Sequence, residues 1–297
     1  YKGDKKVTVS ENKNEILLSG ENFSIKFDKN INAINSYILN DYEILEAPLT
    51  ANFWRAPTDN DYGNGMQKRC AAWKNIVEES KNYKHEIVTT ADSSIVLKTS
   101  QILNNNYGTL DIDYQIAGNG QIIVSYKYTP SDTTISEIPV IGMKMQLKKS
   151  INKLQYYGRG PMENYIDRNS ASFIGLYNST VQGQYYPYAR PQENGYKTDT
   201  RYLSLTNIFN LGIRVDAIDN SLCFSALHYS IAELDEGPKK RLRTIKDVKE
   251  GNFTELRIDH KMMGLGGDDS WGSKPYNIHR IFPNKTYSYS FCITPLL

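Results

Sequence analysis

An all-β fold, a large antiparallel β-sandwich, is what this sequence predicts, on three observations. Apolar and polar residues alternate through segment after segment; Gly, Asn, Asp and Pro punctuate those segments; and helical periodicity is confined to short stretches. Alternation with period two marks a strand with one buried face. Many such strands with little helix leave a sandwich as the architecture that covers every apolar face.

The elements follow in order. "EILLSG" (15–20) and "NFSIKFD" (22–28) alternate and are joined by the turn signal "LSGEN". "FDKNINAI" (27–34) reads as a second hairpin turn. "SSIVLKTSQIL" (93–103), "LDIDYQI" (110–116) and "QIIVSYKY" (121–128) are strands, the last two joined through the Gly-Asn-Gly turn of "IAGNGQI". "MKMQLKK" (143–149), "LSLTNIF" (203–209), "GIRVDAI" (212–218), "LCFSAL" (222–227), "ELRIDH" (255–260) and "YSYSFCI" (287–293) complete the set. The best helix candidate is "MQKRCAAWKNIVEES", Met66 to Ser80, and a second short one lies in "YSIAELDEG".

Residues 1–14 are charged and plain, and read as a linker leading into one domain over 15–297. The opening "YKGDKKVTVS" has neither the apolar centre of a signal peptide nor an initiator methionine, so an excised piece of a longer polypeptide is expected. No run of eighteen apolar residues suggests a membrane span.

Charge is balanced, with 35 basic and 33 acidic residues, which disfavours a nucleic-acid footprint. The basic run "KKRLR", Lys239 to Arg243, reads as a solvated loop or edge rather than a docking patch. Of the three cysteines, Cys223 and Cys292 lie in apolar runs and are expected in the core; with Cys70 they make no disulfide framework and leave the compartment undecided. The excess is in tyrosine, 22 against 9 phenylalanines and 3 tryptophans. A phenol has a flat apolar face and a hydroxyl, which suits polar ligands, although strand propensity accounts for most of them.

Four segments break the alternation with dense polar, Gly and Pro content: "NFWRAPTDNDYGNG" (52–65), "YYGRGPMENYIDR" (156–168), "YYPYARPQENGYKTDTR" (185–201) and "MGLGGDDSWG" (263–272). On a sandwich, rigid sheets carry such loops as functional surface. Each mixes aromatic, acidic, amide or arginine side chains, the types that stack on sugar C–H faces and bind hydroxyls. The candidates are Trp54, Arg55, Asp59, Asn60 and Asp61 in the first, Tyr157, Arg159, Glu163, Asn164, Asp167 and Arg168 in the second, Tyr188, Arg190, Glu193, Asn194, Asp199 and Arg201 in the third, and Asp268, Asp269 and Trp271 in the last. The competing reading has Arg–carboxylate pairs tying the loops together. Glu163 and Glu193 are the obvious acids for glycoside hydrolysis within the chain, if their separation allows. His85, His228, His260 and His279 are isolated, and "DND" and "GDD" lack calcium-loop spacing.

"RAPTDND", "GRGPMENYIDR", "RPQENGYKTDTR" and "MGLGGDDSWG", in that order, resemble the C-terminal domain of the large family-two β-galactosidases, a unit that is in some bacteria a separate small subunit. The resemblance extends over about residues 15–297. It implies a β supersandwich of the galactose-mutarotase-like kind. It implies a retaining hydrolase of terminal β-D-galactosides, whose catalytic glutamates and magnesium ligands, with sodium as a second candidate ion, lie on a TIM-barrel domain or large subunit absent from this chain. No catalytic residue and no cofactor is then expected here. The expected contribution is Trp271, lining the galactoside site and stacking on sugar. Gly264, Gly266 and Gly267 are read as the turn that projects its indole, and Asp268 and Asp269 as locks on backbone N–H groups. Arg190, Glu193 and Asn194 are secondary substrate-binding candidates. Met262 stands where some relatives carry a histidine. The alternatives are a stand-alone carbohydrate-binding module and an aldose mutarotase; the second needs a histidine and a glutamate converging on one face.

Overall fold

The computed structural model describes residues 6–91, 93–241, 243–269 and 271–297. In chain order, the first six strands are β1 (Thr8–Glu11), β2 (Glu15–Ser19), β3 (Phe23–Asp28), β4 (Ala33–Leu39), β5 (Tyr42–Glu43) and β6 (Leu45–Asn52). Two short helices, α1 (Asp59–Asn64) and α2 (Met66–Arg69), lead into an antiparallel meander of β7 (Asn82–Thr89), β8 (Ile95–Ile102), β9 (Gly108–Ile116) and β10 (Ile122–Pro130). Then come β11 (Val140–Lys148), β12 (Lys153–Gly160), β13 (Phe173–Thr180), β14 (Lys197–Thr200), β15 (Tyr202–Thr206), β16 (Gly212–Ala217) and β17 (Leu222–Leu227). Helix α3 (Ile231–Leu234), β18 (Phe253–Met262) and β19 (Tyr287–Leu296) finish the chain.

These strands form two antiparallel sheets. One runs β1-β2-β3-β4-β6-β11-β18-β17-β14, with β5 attached to β4; the other runs β13-β12-β15-β16-β19-β10-β9-β8-β7. The core lies between them, because alternate residues of each strand face inward: β9 buries every second side chain along its length. Phe53 stacks on Trp73 with ring centroids 5.6 Å apart and meets Tyr128 edge-on at 5.5 Å, joining both sheets to the α1–α2 passage. The all-β sandwich and the three hairpin turns are as the alternation predicts, and each of the eleven alternating segments lies on a strand.

The differences are local. Residues Thr8–Glu11, expected in a linker, pair in register with β2 and start the sheet. The long helix expected over 66–80 breaks into α2, a 3-10 turn at Ala71–Trp73 and further turns. Met66, Cys70, Trp73 and Ile76 are buried, so the apolar spacing is satisfied while the chain bends around the core. Helix α1 was not anticipated. Thr58 caps it through the Asp61 N–H while Asp61 caps back onto Thr58, and Gly65 ends it at a left-handed φ of 75°. Parts of two expected loops are strand, namely the end of β12 and all of β14. The short helix near 229–237 is present as α3, capped by Ser230. Cys70 and Cys292 are buried and Cys223 is partly so, all three as free thiols.

At the sheet margins, β13 is an edge strand, and Phe173, Ile174 and Leu176 on it are exposed.

Candidate functional site

The four irregular segments converge and interlock. The "RAPTDND" segment lies at the end of β6, where Asn52 and Phe53 carry it off the sheet. Its Arg55 is fully buried, forks onto Asp61 and reaches the Gly264 carbonyl of the last loop at 3.4 Å. Trp54 is buried too, its indole N–H donating to Asp235 at 2.8 Å, so it is a plug rather than a sugar platform. From α1, the Asn60 amide donates to the carbonyls of Leu265 (3.1 Å) and Ser273 (2.9 Å), holding both flanks of the last loop.

Asp167, in the second segment, accepts from the N–H groups of Leu265 (2.7 Å) and Gly266 (3.0 Å). A Cβ on Gly264 would lie 2.7 Å from that carboxylate, so the close approach requires glycine. The sequence reading placed Asp167 among the polar loop residues without this role. None of Gly264, Gly266 and Gly267 adopts a positive φ; the left-handed turn falls instead at Gly272, φ 128°, packed on the backbone of Gly63. Asp269 locks the loop as anticipated, accepting from the N–H groups of Trp271 (2.8 Å) and Ser273 (3.2 Å). The Trp271 N–H bond, with help from Ser273, holds the Asp269 carboxyl below its usual range. Asp268 takes a different partner, the Tyr276 hydroxyl.

The result is an indole 87% exposed on an anchored loop. The alternative in which Trp271 plugs the core is therefore excluded. Tyr276 and Ile278, nearby in sequence, are also exposed.

Other candidates sit differently. Glu193 is only 2% exposed and pairs bidentately with Arg257 of β18, which also donates to Ser225 at 2.5 Å and lies 5.6 Å from the Tyr196 ring centre. Asn194 is buried, donating to the Gln192 carbonyl (3.0 Å) and accepting from the Tyr186 N–H (3.3 Å). Arg190 bridges Glu236 (2.7 Å) and Asp59 (3.3 Å). Glu163 accepts from Arg168, Tyr188 and the Gly195 N–H. These carboxylates tie loops together, as the competing reading supposed. The basic run behaves likewise: Lys240 pairs with Asp59 and Arg243 with Glu233, while Leu242 lies outside the described residues.

Two of the four histidines are held by a backbone contact or by ring packing. His228 bonds the Phe253 carbonyl through Nδ1 at 2.7 Å, and His260 stacks on Tyr289 with its pKa pushed down to about 4 by burial. Among the described residues, no three His, Cys, Asp or Glu side chains are arranged to hold a metal ion.

One open cavity of about 610 Å³ lies between the β12–β13 and β13–β14 connections. Its walls include Met162, Glu163, Gln184, Tyr186 and Lys197. Sequence gave no hint of Lys197, which is 1% exposed on β14, a strand whose burial does not alternate.

Comparison with known proteins fits this geometry. The fold is that of a galactose mutarotase-related enzyme from Lactobacillus acidophilus (TM-score 0.51, 10% identity, covering 98% of this chain and 97% of that one). A putative aldose 1-epimerase from Escherichia coli K12 superposes equally well (TM-score 0.51, 10% identity, 98% and 100% covered). By sequence, the chain is 32% identical over 290 residues to a β-galactosidase of Priestia megaterium, covering 98% of this chain and 27% of that protein. It is 28% identical to that of Streptococcus thermophilus (98% and 28%) and 32% identical to that of Lactobacillus delbrueckii subsp. bulgaricus (94% and 27%). It thus spans little more than a quarter of the length of these relatives. The family described as Beta galactosidase small chain matches residues 19–293. An all-β supersandwich of the mutarotase-like kind with this match along its length places the chain in the β-galactosidase small-chain family.

Proposed function

We propose that this chain is the non-catalytic small-chain domain of a retaining β-galactosidase, and that it caps the active site of a TIM-barrel domain or large subunit with Trp271. The observation that carries the reading is an almost fully exposed indole on a loop pinned by Asn60, Asp167 and Asp269. Exposing a tryptophan forfeits burial of about 1.5–3 kcal/mol typical of a large apolar side chain. Anchoring its loop to two other segments makes sense where the ring meets a partner surface, since binding then loses little loop entropy.

The chemistry assigned to Trp271 is stacking on the apolar face of a galactoside. Its contribution to rate lies in whatever contact strengthens as the sugar ring flattens toward an oxocarbenium-like transition state. The acid and the nucleophile belong to the barrel, along with the magnesium expected there. Glu163 and Glu193 hold this domain together through Arg168 and Arg257.

Two measurements test this. The 297-residue chain mixed with a chromogenic β-galactoside should give no turnover above a heat-treated control; turnover would assign catalysis to its own carboxylates. In the enzyme that carries the chain, Trp271→Ala should lower kcat/KM while leaving the melting temperature unchanged. The mutarotase-like fold raises a second reading, an aldose mutarotase. Polarimetry on fresh α-galactose decides it, and the packing of His228 and His260 argues for no acceleration.

A further inference from the structure

The cavity between the β12–β13 and β13–β14 connections contains two buried polar groups with unmet capacity. Lys197 is a triple donor, yet among the described residues its one hydrogen bond is a long one, 3.4 Å, to the Gly195 carbonyl. Burial pushes its pKa down to about 8. The Gln184 side chain donates to Ser179 at 2.7 Å, but its Oε1 is buried without a donor among the described residues. Native proteins rarely leave such groups unsatisfied, so each has capacity for a further partner, water or ligand.

The remaining wall mixes apolar and aromatic side chains with the Glu163–Arg168 pair and two serines. Met162 and Tyr186 are both 58% exposed at the mouth, and Tyr186 leans on Tyr188 with ring centres 4.6 Å apart. A volume of about 610 Å³ suits a small organic ligand. Trp271 lines no part of it.

We propose that this cavity is a binding subsite for a neutral saccharide of one or two rings, separate from the Trp271 face. A sugar brings hydroxyls that can accept from the Lys197 ammonium and hydroxyls that can donate to Gln184 Oε1, whereas a carboxylate can only accept. The ring C–H face packs on Tyr186 and Met162. An anion fits less well, because Glu163 lies in the same wall and already neutralises Arg168. The proposal does not depend on the barrel-capping role of Trp271, and the variants below separate the two.

Calorimetry on the 297-residue chain with galactose, lactose and galacturonate, and the methyl NMR signal of Met162 during the same titrations, test it. Neutral sugars should bind with millimolar Kd and shift Met162. Tyr186→Ala should weaken binding about tenfold, the scale of one aromatic stacking contact. Lys197→Met should abolish binding, and Gln184→Leu serves in its place if that variant does not fold. Trp271→Ala should change Kd less than twofold. No heat and no Met162 shift up to about 100 mM sugar, binding that survives both Tyr186→Ala and the Lys197 or Gln184 change, or binding of galacturonate alone would each overturn the proposal.

Discussion

Replacing Glu193 by glutamine removes one charge from a pair sealed in the protein. Both carboxylate oxygens of Glu193 accept from the Arg257 guanidinium, and the two side chains are 1% and 3% exposed. After the change, Arg257 keeps the Ser225 hydroxyl and the Tyr196 ring, but no counter-ion in contact. Breaking a buried pair by removing one partner costs about 3–5 kcal/mol, most of it the cost of a stranded charge. The midpoint of urea unfolding, followed by tyrosine and tryptophan fluorescence, should fall by that amount divided by the slope of the wild-type curve. Replacing both residues with leucine should cost much less than the sum of the single changes, because no charge is then left behind. In the enzyme that carries the chain, kcat/KM for Glu193→Gln should stay near wild type at temperatures where the variant is folded. A loss under about 1 kcal/mol, the value of an exposed pair, would refute the burial argument. A stable but inactive variant would move Glu193 from scaffolding to substrate.

Four further outcomes follow. Trp271→Ala in the carrying enzyme should reduce transition-state binding by about 1–2 kcal/mol, read as a five- to thirty-fold drop in kcat/KM, with unfolding unchanged. Asp167→Ala should cost about 2–4 kcal/mol, two charge-assisted bonds to backbone N–H groups, and should make the loop at Trp271 more susceptible to proteolysis. Gly264→Ala should produce a milder version of the same phenotype, since its methyl meets the Asp167 carboxylate. Lys197 has a folded pKa of about 8 against 10.5 unfolded, so the unfolded chain binds more protons between those values. Stability should therefore rise with pH through 8 to 9.5, and Lys197→Met should remove that rise in a pH series of melting curves.

The alternating strands were legible because each exposes one face, and β9 or β10 could hardly be read otherwise. Strand β12 was read partly as loop because Gly158 and Gly160 interrupt its pattern, and β14 because Lys197 and Thr198 are both buried. The helix over 66–80 was over-read for the opposite reason: Met66, Cys70 and Trp73 are spaced like a helical stripe but reach the core from a chain that turns. At the site, the glycines and aspartates of the last loop announced an unusual backbone. Which glycine turns and which merely yields space to Asp167 depends on a partner a hundred residues away. Trp54 and Trp271 occupy loops of similar composition, and only the fold distinguishes the plug from the exposed ring.

The open margin at β13 has a practical side. Among the described residues it has no strand partner on its outer side, and Phe173 and Leu176 flank it with bare hydrocarbon. Such a border can recruit a stray strand from another molecule. Preparations of this chain alone should cloud with time and concentration, and a charged residue at Leu176 should keep them clear without touching the Trp271 loop or the Lys197 cavity.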